Sequence, residues 1–197
     1  IFDLEKDQEE QVTTTFQLRK KYIITTIKSG MVVINQSRAH QRVLYEKFLK
    51  NITIQEAVSQ QLLFPLSLSF SKNELEILMD IRENLSAIGF VFGDIGTETV
   101  EVKGVPVVVV ESEVQMIMEQ LISDFQMEIS ADSFSQSDML AKTLSKTLSV
   151  KTGEFLDHKS QLALVNDLFA CKEATLSPFN KSTYVTITEN DIDRKFI

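Results

Sequence analysis

The feature that most constrains this fold is the run from Tyr22 to Leu49, where two short apolar segments lead directly into an amphipathic helix. The segments Tyr22 to Lys28 and Met31 to Asn35 are rich in Ile, Val and Thr, which favour strands. Ser29-Gly30 lies between them, and glycine tolerates the positive φ of a tight turn. The helix predicted from Gln36 to Lys50 directs one apolar stripe toward this hairpin, formed by Ala39, Val43, Leu44 and Phe48.

The hairpin carries more apolar residues than one covered face can hold. Met31 to Ile34 is a continuous apolar run, and Ile23 and Ile24 are adjacent, whereas successive side chains of a strand point to opposite faces. Both faces therefore need covering. A helix covers one, and the other takes either a partner or a second layer from the same chain. The residues that we assign to a dimer interface are Tyr22, Ile24, Met31 and Val33.

Composition narrows the class of protein. The chain has 197 residues, 43% of them apolar and 24% charged, as in a soluble globular protein with one core or two small ones. A formal net charge of -8 argues against independent binding of nucleic acid, which draws its affinity from Lys and Arg. The single cysteine, Cys171, excludes an internal disulfide and a Cys-rich zinc site, which fits a reducing compartment.

No apolar run approaches the roughly 20 residues that span a bilayer, and no signal peptide opens the sequence. We therefore expect a cytoplasmic protein with no membrane association. The first ten residues are acidic, lack periodicity and begin with Ile, so residues 1–10 are predicted to be a linker remnant.

The middle of the chain predicts a second group of elements. Ser71 to Glu74 reads as a capping box for a helix that ends at Gly89. Short strands follow, with an extended segment from Pro106 to Val110, and a second capping box is predicted at Ser112 to Gln115. A Ser-rich loop is predicted from Ser130 to Ser137.

The polar residues that open the first helix carry a family resemblance. Asn35 to Glu46 reads N-Q-x-x-A-H-x-R-x-x-Y-E, which resembles the D-Q-H-A-A-H-E-R-x-x-Y-E motif of the C-terminal dimerisation domain of the MutL DNA mismatch repair family. Gln60 to Pro65, Q-Q-L-L-F-P, and the segment from Cys171 to Pro178 extend the resemblance over most of the chain. It implies an α+β fold in which residues 11–64 and 155–197 form an inner dimerisation subdomain, with a sheet packed on helices. Residues 65–154 would form an inserted outer regulatory α/β subdomain.

The resemblance also implies that a metal-dependent nuclease centre has been lost. Relatives with the activity carry acidic, imidazole and thiolate ligands at three separate motifs, and a divalent metal needs such ligands. The matching positions here carry side chains that are poor metal ligands. They are Asn35, Ser37, Gln41, Lys146, Ser177 and Phe179. The alternative is a nicking endonuclease with a relocated ligand set that includes His40 and Glu46.

The segment from Gln60 to Pro65 has two interpretations. It is similar to the Q-x-x-L/I-x-P motif by which members of this family engage the replication sliding clamp, where glutamine forms oriented hydrogen bonds and an aliphatic pair fills a cleft. Alternatively, its apolar residues are core residues that lead into a strand. The clamp-binding residues would be Gln60, Gln61, Leu62, Leu63, Phe64 and Pro65.

The resemblance therefore predicts a dimerisation and recruitment scaffold. It would link two N-terminal ATPase arms as a homodimer and dock the sliding clamp, the mismatch recognition protein MutS and a downstream nuclease or helicase. No Gly-rich phosphate loop occurs in the sequence, so we expect no ATPase activity in this fragment. Because the matched ligand positions carry poor metal ligands, we also expect no metal, and we expect no cofactor. DNA would be contacted mainly through the N-terminal domain.

Overall fold

The computed structural model describes residues 14–54, 57–127 and 133–197, and within them it contains seven strands and six α-helices. The predicted linker of residues 1–10 lies outside the described residues. In chain order the elements are β1 Thr15–Leu18, β2 Tyr22–Ile27, β3 Gly30–Asn35, α1 Gln36–Ile54, β4 Ser59–Ser69, α2 Lys72–Ile88, β5 Val91–Ile95, β6 Thr99–Pro106, a 3₁₀ turn Glu111–Glu113, α3 Val114–Met127, α4 Ser133–Leu148, α5 His158–Ala170, β7 Tyr184–Thr188 and α6 Glu189–Asp193.

The first sheet combines three strands from the beginning of the chain with one from its end, in the order β1-β2-β3-β7, and every pairing is antiparallel. Burial alternates along β2 and β3: Ile23, Val32 and Ile34 are buried, and their neighbours along the chain are not. This pattern is typical of a sheet with one buried face. These three residues form a core with Ala39 of α1 and with α5, which contributes Leu164, Val165 and Leu168. The predicted hairpin, with a helix against one face, is confirmed, but of the four residues in the predicted stripe only Ala39 and Val43 pack in this core.

The second sheet has the antiparallel order β4-β6-β5 and belongs to a larger core formed with α2, α3 and α4. Helix α1 takes part in both cores, since Ala39 packs on the first sheet while Leu44 and Phe48 pack in the larger core. The α+β class, with two antiparallel sheets packed on helices, is confirmed. The predicted limit at Pro65 falls inside β4, and the division into two subdomains stays a prediction.

Several element limits differ from the sequence prediction. Helix α1 continues to Ile54 rather than ending at Lys50, and β6 runs through Gly104 to Pro106. The segment predicted to be extended after Pro106 instead turns at residues 107–108. Partner strands on both sides of β6 explain its length, because β4 and β5 both pair with it at Gly104. Glycine lacks a side chain but has the backbone N–H and C=O groups that pair with neighbouring strands, so Gly104 does not end β6.

Two predictions made from local polar residues were wrong. The part of the Ser-rich loop that the structure describes is helical from Ser133, where α4 begins. Near the start of this helix Asp138 accepts a hydrogen bond from the Tyr45 hydroxyl at 2.5 Å and pairs with Lys142 at 2.6 Å. The capping box predicted from Ser112 is replaced by a 3₁₀ turn, and the Gln115 side chain donates to Glu119.

Other helix ends agree with the sequence. Ser71 and Glu74 form the predicted capping box, and Gly89 ends α2 in a left-handed conformation with φ 117°. Thr188 and Asp191 form a second box at the start of α6. None of the helices in the described residues has both the length and the apolar character needed to span a membrane.

Candidate functional site

The outer face of the first sheet carries a row of apolar side chains that crosses all four strands. The strand registers place Phe16 opposite Ile24, Ile24 opposite Val33, and Val33 opposite Val185. The end residues of the row, Phe16 and Val185, are each 54% exposed, and the middle two are half-buried. Residues paired directly across strands share one face of a sheet, so this row forms a continuous apolar surface.

All four residues predicted for the dimer interface lie on this face. Tyr22 and Ile24 are two positions apart on β2, and Met31 and Val33 occupy the corresponding alternate positions of β3. The sequence prediction missed Phe16, Val185 and Ile187, which lie on the flanking strands. The alternation in Y-V-T-I-T is a signal for an amphipathic strand. It cannot say that β7 pairs with β3, some 150 residues away in the chain.

The positions that the sequence resemblance matches to metal-ligand motifs are partly assembled in space. Ser37, Gln41 and Lys146 line one groove of about 540 Å³, and the Lys146 ammonium lies 6.0 Å from the centre of the Phe179 ring. Residues from three distant motifs thus meet beside α1. At these three positions the groove carries a hydroxyl, an amide and an ammonium, and the one carboxylate in its lining, Asp124, cannot by itself hold a divalent metal.

The other two positions hold the backbone in place. Asn35 accepts a hydrogen bond at Oδ1 from the Arg38 amide at 3.1 Å, which caps the start of α1. Ser177 is buried, and its Oγ accepts from the amides of Phe179 and Lys181, both at 3.3 Å. Both side chains therefore satisfy backbone donors in tight local structure.

The two residues considered for a relocated ligand set are also engaged. Glu46 accepts from the backbone amides of Lys172 and Glu173, at 2.8 and 3.1 Å, and lies 3.7 Å from the Arg42 guanidinium. His40 accepts at Nδ1 from the Val150 amide at 3.0 Å. Within the described parts of the chain, no group of three or more His, Cys, Asp or Glu residues could hold a metal ion.

His40 makes stability depend on pH. Burial lowers its pKa from 6.5, against the opposing influence of Asp167 and Glu154. A lowered folded-state pKa means that the unfolded chain binds the proton more readily, so stability is full above pH 6.5 and falls as the pH drops below it. We expect urea unfolding to show this loss between pH 7 and pH 5, with a slope of at most about 1.4 kcal/mol per pH unit from this group.

His40→Gln is the control for this pH dependence, because the amide keeps a hydrogen-bond acceptor but does not titrate. The extra slope should disappear in the variant, while the contributions of carboxylates remain in both proteins. Superimposable pH profiles of wild type and variant would show that His40 is not the origin.

Within the segment from Gln60 to Pro65, residues 62–65 bulge out of the second sheet, while Gln60 and Gln61 pair with β6. Gln61 is opposite Gly104 and Leu66 is opposite Val102, so the four residues between them face a single residue of β6. Leu63 and Phe64 are 85% and 73% exposed, whereas Leu62 is half-buried against the larger core. The bulge thus presents an apolar pair to solvent beside exposed glutamines at 60 and 61.

Cys171 precedes a loop whose backbone is bound by two side chains of α1: Glu46 accepts from the amides of Lys172 and Glu173, and Arg42 donates to the carbonyl of Leu176. Its thiol donates to the Asp167 carbonyl at 3.3 Å, and burial raises the pKa of the thiol to about 11. A thiol with a raised pKa is a poor nucleophile at neutral pH. Cys171 is therefore a structural residue in this loop.

The fold and these surfaces define an α+β domain with an apolar sheet face of the kind used for self-association. The family model described as the MutL C terminal dimerisation domain matches residues 15–156. Proteins named DNA mismatch repair protein MutL are similar to the chain: that of Flavobacterium psychrophilum is 52% identical over 98% of the chain, and that of Christiangramia forsetii is 50% identical over 100% of it. A third, from Bacteroides fragilis, is 33% identical over 95% of the chain.

The chain belongs to the MutL C-terminal dimerisation domain family of DNA mismatch repair proteins. It spans about a third of the length of the relatives that it matches, since it covers 31% of the first two and 30% of the third.

Proposed function

We propose that this domain holds two MutL chains together as a homodimer through the outer face of the first sheet and recruits repair factors to them. The observation that carries this proposal is the apolar row Phe16, Ile24, Val33 and Val185. A two-fold axis through such a face would pair each row with its own copy, as closed dimers require. Stable interfaces of this kind commonly bury about 2,000 Å² or more in total.

The oligomeric state tests this directly. Sedimentation velocity of the 197-residue chain should give a dimer at micromolar concentration. A monomer under these conditions would contradict the proposal.

We propose further that the domain has no endonuclease activity. Support comes from the groove chemistry, where Ser37, Gln41 and Lys146 replace anionic and imidazole ligands, and from Glu46 and His40, whose acceptor atoms already bind backbone amides. Supercoiled DNA incubated with the full-length protein and manganese should show no nicking above background. Manganese-dependent nicking would favour the alternative, an endonuclease with an atypical ligand set.

The rest of the scaffold proposal concerns the whole protein. ATP hydrolysis and most DNA contact would belong to the N-terminal arms, and this domain would need no cofactor. MutS and a downstream nuclease or helicase are the other proposed partners, in the cytoplasm. The domain's contribution would be to raise the effective concentration of one arm beside the other.

The segment from Gln60 to Pro65, with its bulge at residues 62–65, is the proposed docking site for the sliding clamp. Its exposed pair, Leu63 and Phe64, could enter an apolar cleft without disturbing either core, since both side chains are mostly in solvent. The glutamines at 60 and 61 are exposed and could make oriented hydrogen bonds. A preformed loop loses less entropy on binding than a disordered one does.

Replacing Leu63 and Phe64 with Ala should weaken clamp binding by about 100-fold, as expected when two apolar anchors leave an interface. Surface plasmon resonance against immobilised clamp measures this change, and sedimentation should show an intact dimer. Val58→Ala is the matched control, because Val58 is 77% exposed, precedes β4 and lies outside the bulge. Equal affinities of the double variant and the wild type would remove the clamp site from this segment.

A further inference from the structure

The groove beside α1 is rich in hydrogen-bond donors. Lys146 and Lys151 line it together with hydroxyl and amide side chains from α1, α3 and α4. The carboxylate of Asp124 also lines the groove, but it is already engaged. Its Oδ2 accepts from the Thr143 hydroxyl at 2.6 Å, and its Oδ1 accepts from the Gln120 amide at 2.8 Å. A ligand that enters the groove therefore meets two ammonium groups and one hydrogen-bonded carboxylate, which together carry a net positive charge.

The two lysines differ in how many hydrogen-bond partners their ammonium groups already have. Lys151 donates to the carbonyls of Lys146 and Thr147 at 2.6 and 2.7 Å, which leaves one of its three N–H donors for another acceptor. Among the described side chains Lys146 forms no ion pair, and its ammonium faces the Phe179 ring at 6.0 Å. Lys142, one turn earlier in α4, is by contrast paired with Asp138 at 2.6 Å.

A residue that lines the same groove carries an unsatisfied hydroxyl. Ser37 Oγ is buried and has no hydrogen-bond partner within the described residues, and Gln41 follows it one turn later on the same side of α1. A buried hydroxyl without a partner costs free energy that a ligand oxygen would recover. Ser37 and Lys146 thus line one groove from different elements, and neither side chain has an acceptor within the described residues. Rotation about the Ser37 side-chain torsion would bring its buried hydroxyl to a ligand in the groove.

We propose that this groove binds a phosphate oxyanion, with Lys146 supplying the positive charge and Ser37 and Gln41 supplying hydrogen bonds. This inference rests on the proposed absence of a metal centre, because a metal centre would make the groove bind a cation, whereas the inference makes the same groove bind an anion. The phosphate can come from a nucleic acid backbone or from a small phosphorylated molecule. The net charge of -8 weakens long-range attraction, so the contact is local and depends on salt.

The test uses ¹⁵N TROSY spectra of the 197-residue chain titrated with inorganic phosphate in the presence of EDTA. We expect saturable shifts at the amides of Ser37, Gln41 and Lys146. Lys146→Gln should weaken the affinity by about tenfold, the effect of removing one charge-assisted hydrogen bond. Lys159→Gln on α5 is the matched control, since it removes an exposed lysine that does not line the groove, and it should leave the affinity unchanged.

A second arm identifies the source of the phosphate. A DNA oligonucleotide that displaces inorganic phosphate supports a backbone ligand, and Lys146→Gln should then lower the slope of log K against log salt by about 1. If the shifts caused by inorganic phosphate remain after the oligonucleotide is added, the result supports a small phosphorylated ligand. Absence of shifts at Ser37 and Gln41, or equal affinity of Lys146→Gln and wild type, would overturn the proposal. Because EDTA is present, this outcome is independent of the nicking assay.

Discussion

Val185→Glu should convert the dimer into monomers. Val185 ends the apolar row and is 54% exposed in the isolated chain, so the carboxylate remains solvated in the monomer and the fold should tolerate it. In a two-fold dimer the substitution occurs twice, and each copy would bury an unpaired charge. At about 3 kcal/mol per buried group, the dissociation constant rises on the order of 10⁴-fold.

Sedimentation velocity across a dilution series measures this change, and circular dichroism establishes that the monomer is folded. Val110→Glu is the matched control, because Val110 is 59% exposed and precedes the 3₁₀ turn, outside the strands of the first sheet. The control should remain a dimer. A dimeric Val185→Glu protein would move the interface to another surface.

Gly30→Ala should be the most destabilising single-methyl change in the first sheet. Gly30 begins β3 with φ 148°, and an added Cβ would collide with the carbonyl oxygen of Ile187 and lie 2.9 Å from Thr188 Cα. These are backbone atoms of β7, which cannot move aside without breaking the pairing of β3 with β7. Backbone strain and overpacking together should cost about 4 kcal/mol in the free energy of unfolding.

Gly153→Ala separates these two causes. Gly153 also has a positive φ, 99°, but an added Cβ there has no atom within 4 Å. Only the conformational cost remains, about 1 to 2 kcal/mol. Urea unfolding of both variants at one protomer concentration gives the comparison, because dimer stability depends on concentration. Equal losses would mean that β7 does not pack closely on the β2–β3 turn.

Local patterns predicted the elements whose signals are short in range. The hairpin of β2 and β3, the capping box at Ser71 and the glycine that ends α2 were all correct. Errors arose where a tertiary partner outweighed local chemistry. The serines before Asp138 favour a loop, yet α4 already includes Ser133 and is anchored through Asp138 to Tyr45 on α1.

The functional residues divide in the same way. The resemblance named six positions as matches to metal ligands. Only the structure shows that Ser37, Gln41 and Lys146 line one groove with Phe179 beside Lys146, while Asn35 and Ser177 hold backbone amides. The clamp motif was equally compatible with a core position and an exposed one. The register shift in β4 decides this, since it leaves Leu63 and Phe64 exposed while Leu62 stays half-buried.

The sequence by itself determined most of the elements and the family, because hydrophobic periodicity, turn glycines and motif spacing are properties of neighbouring residues. Only the tertiary structure decided which residues come together on each surface. Pairing of β7 with β3 completes the apolar row, and packing of α4 against α1 places Lys146 beside Ser37. Such contacts join residues more than 100 positions apart, so their side-chain neighbours depend on the register of strands and helices, which no local pattern specifies.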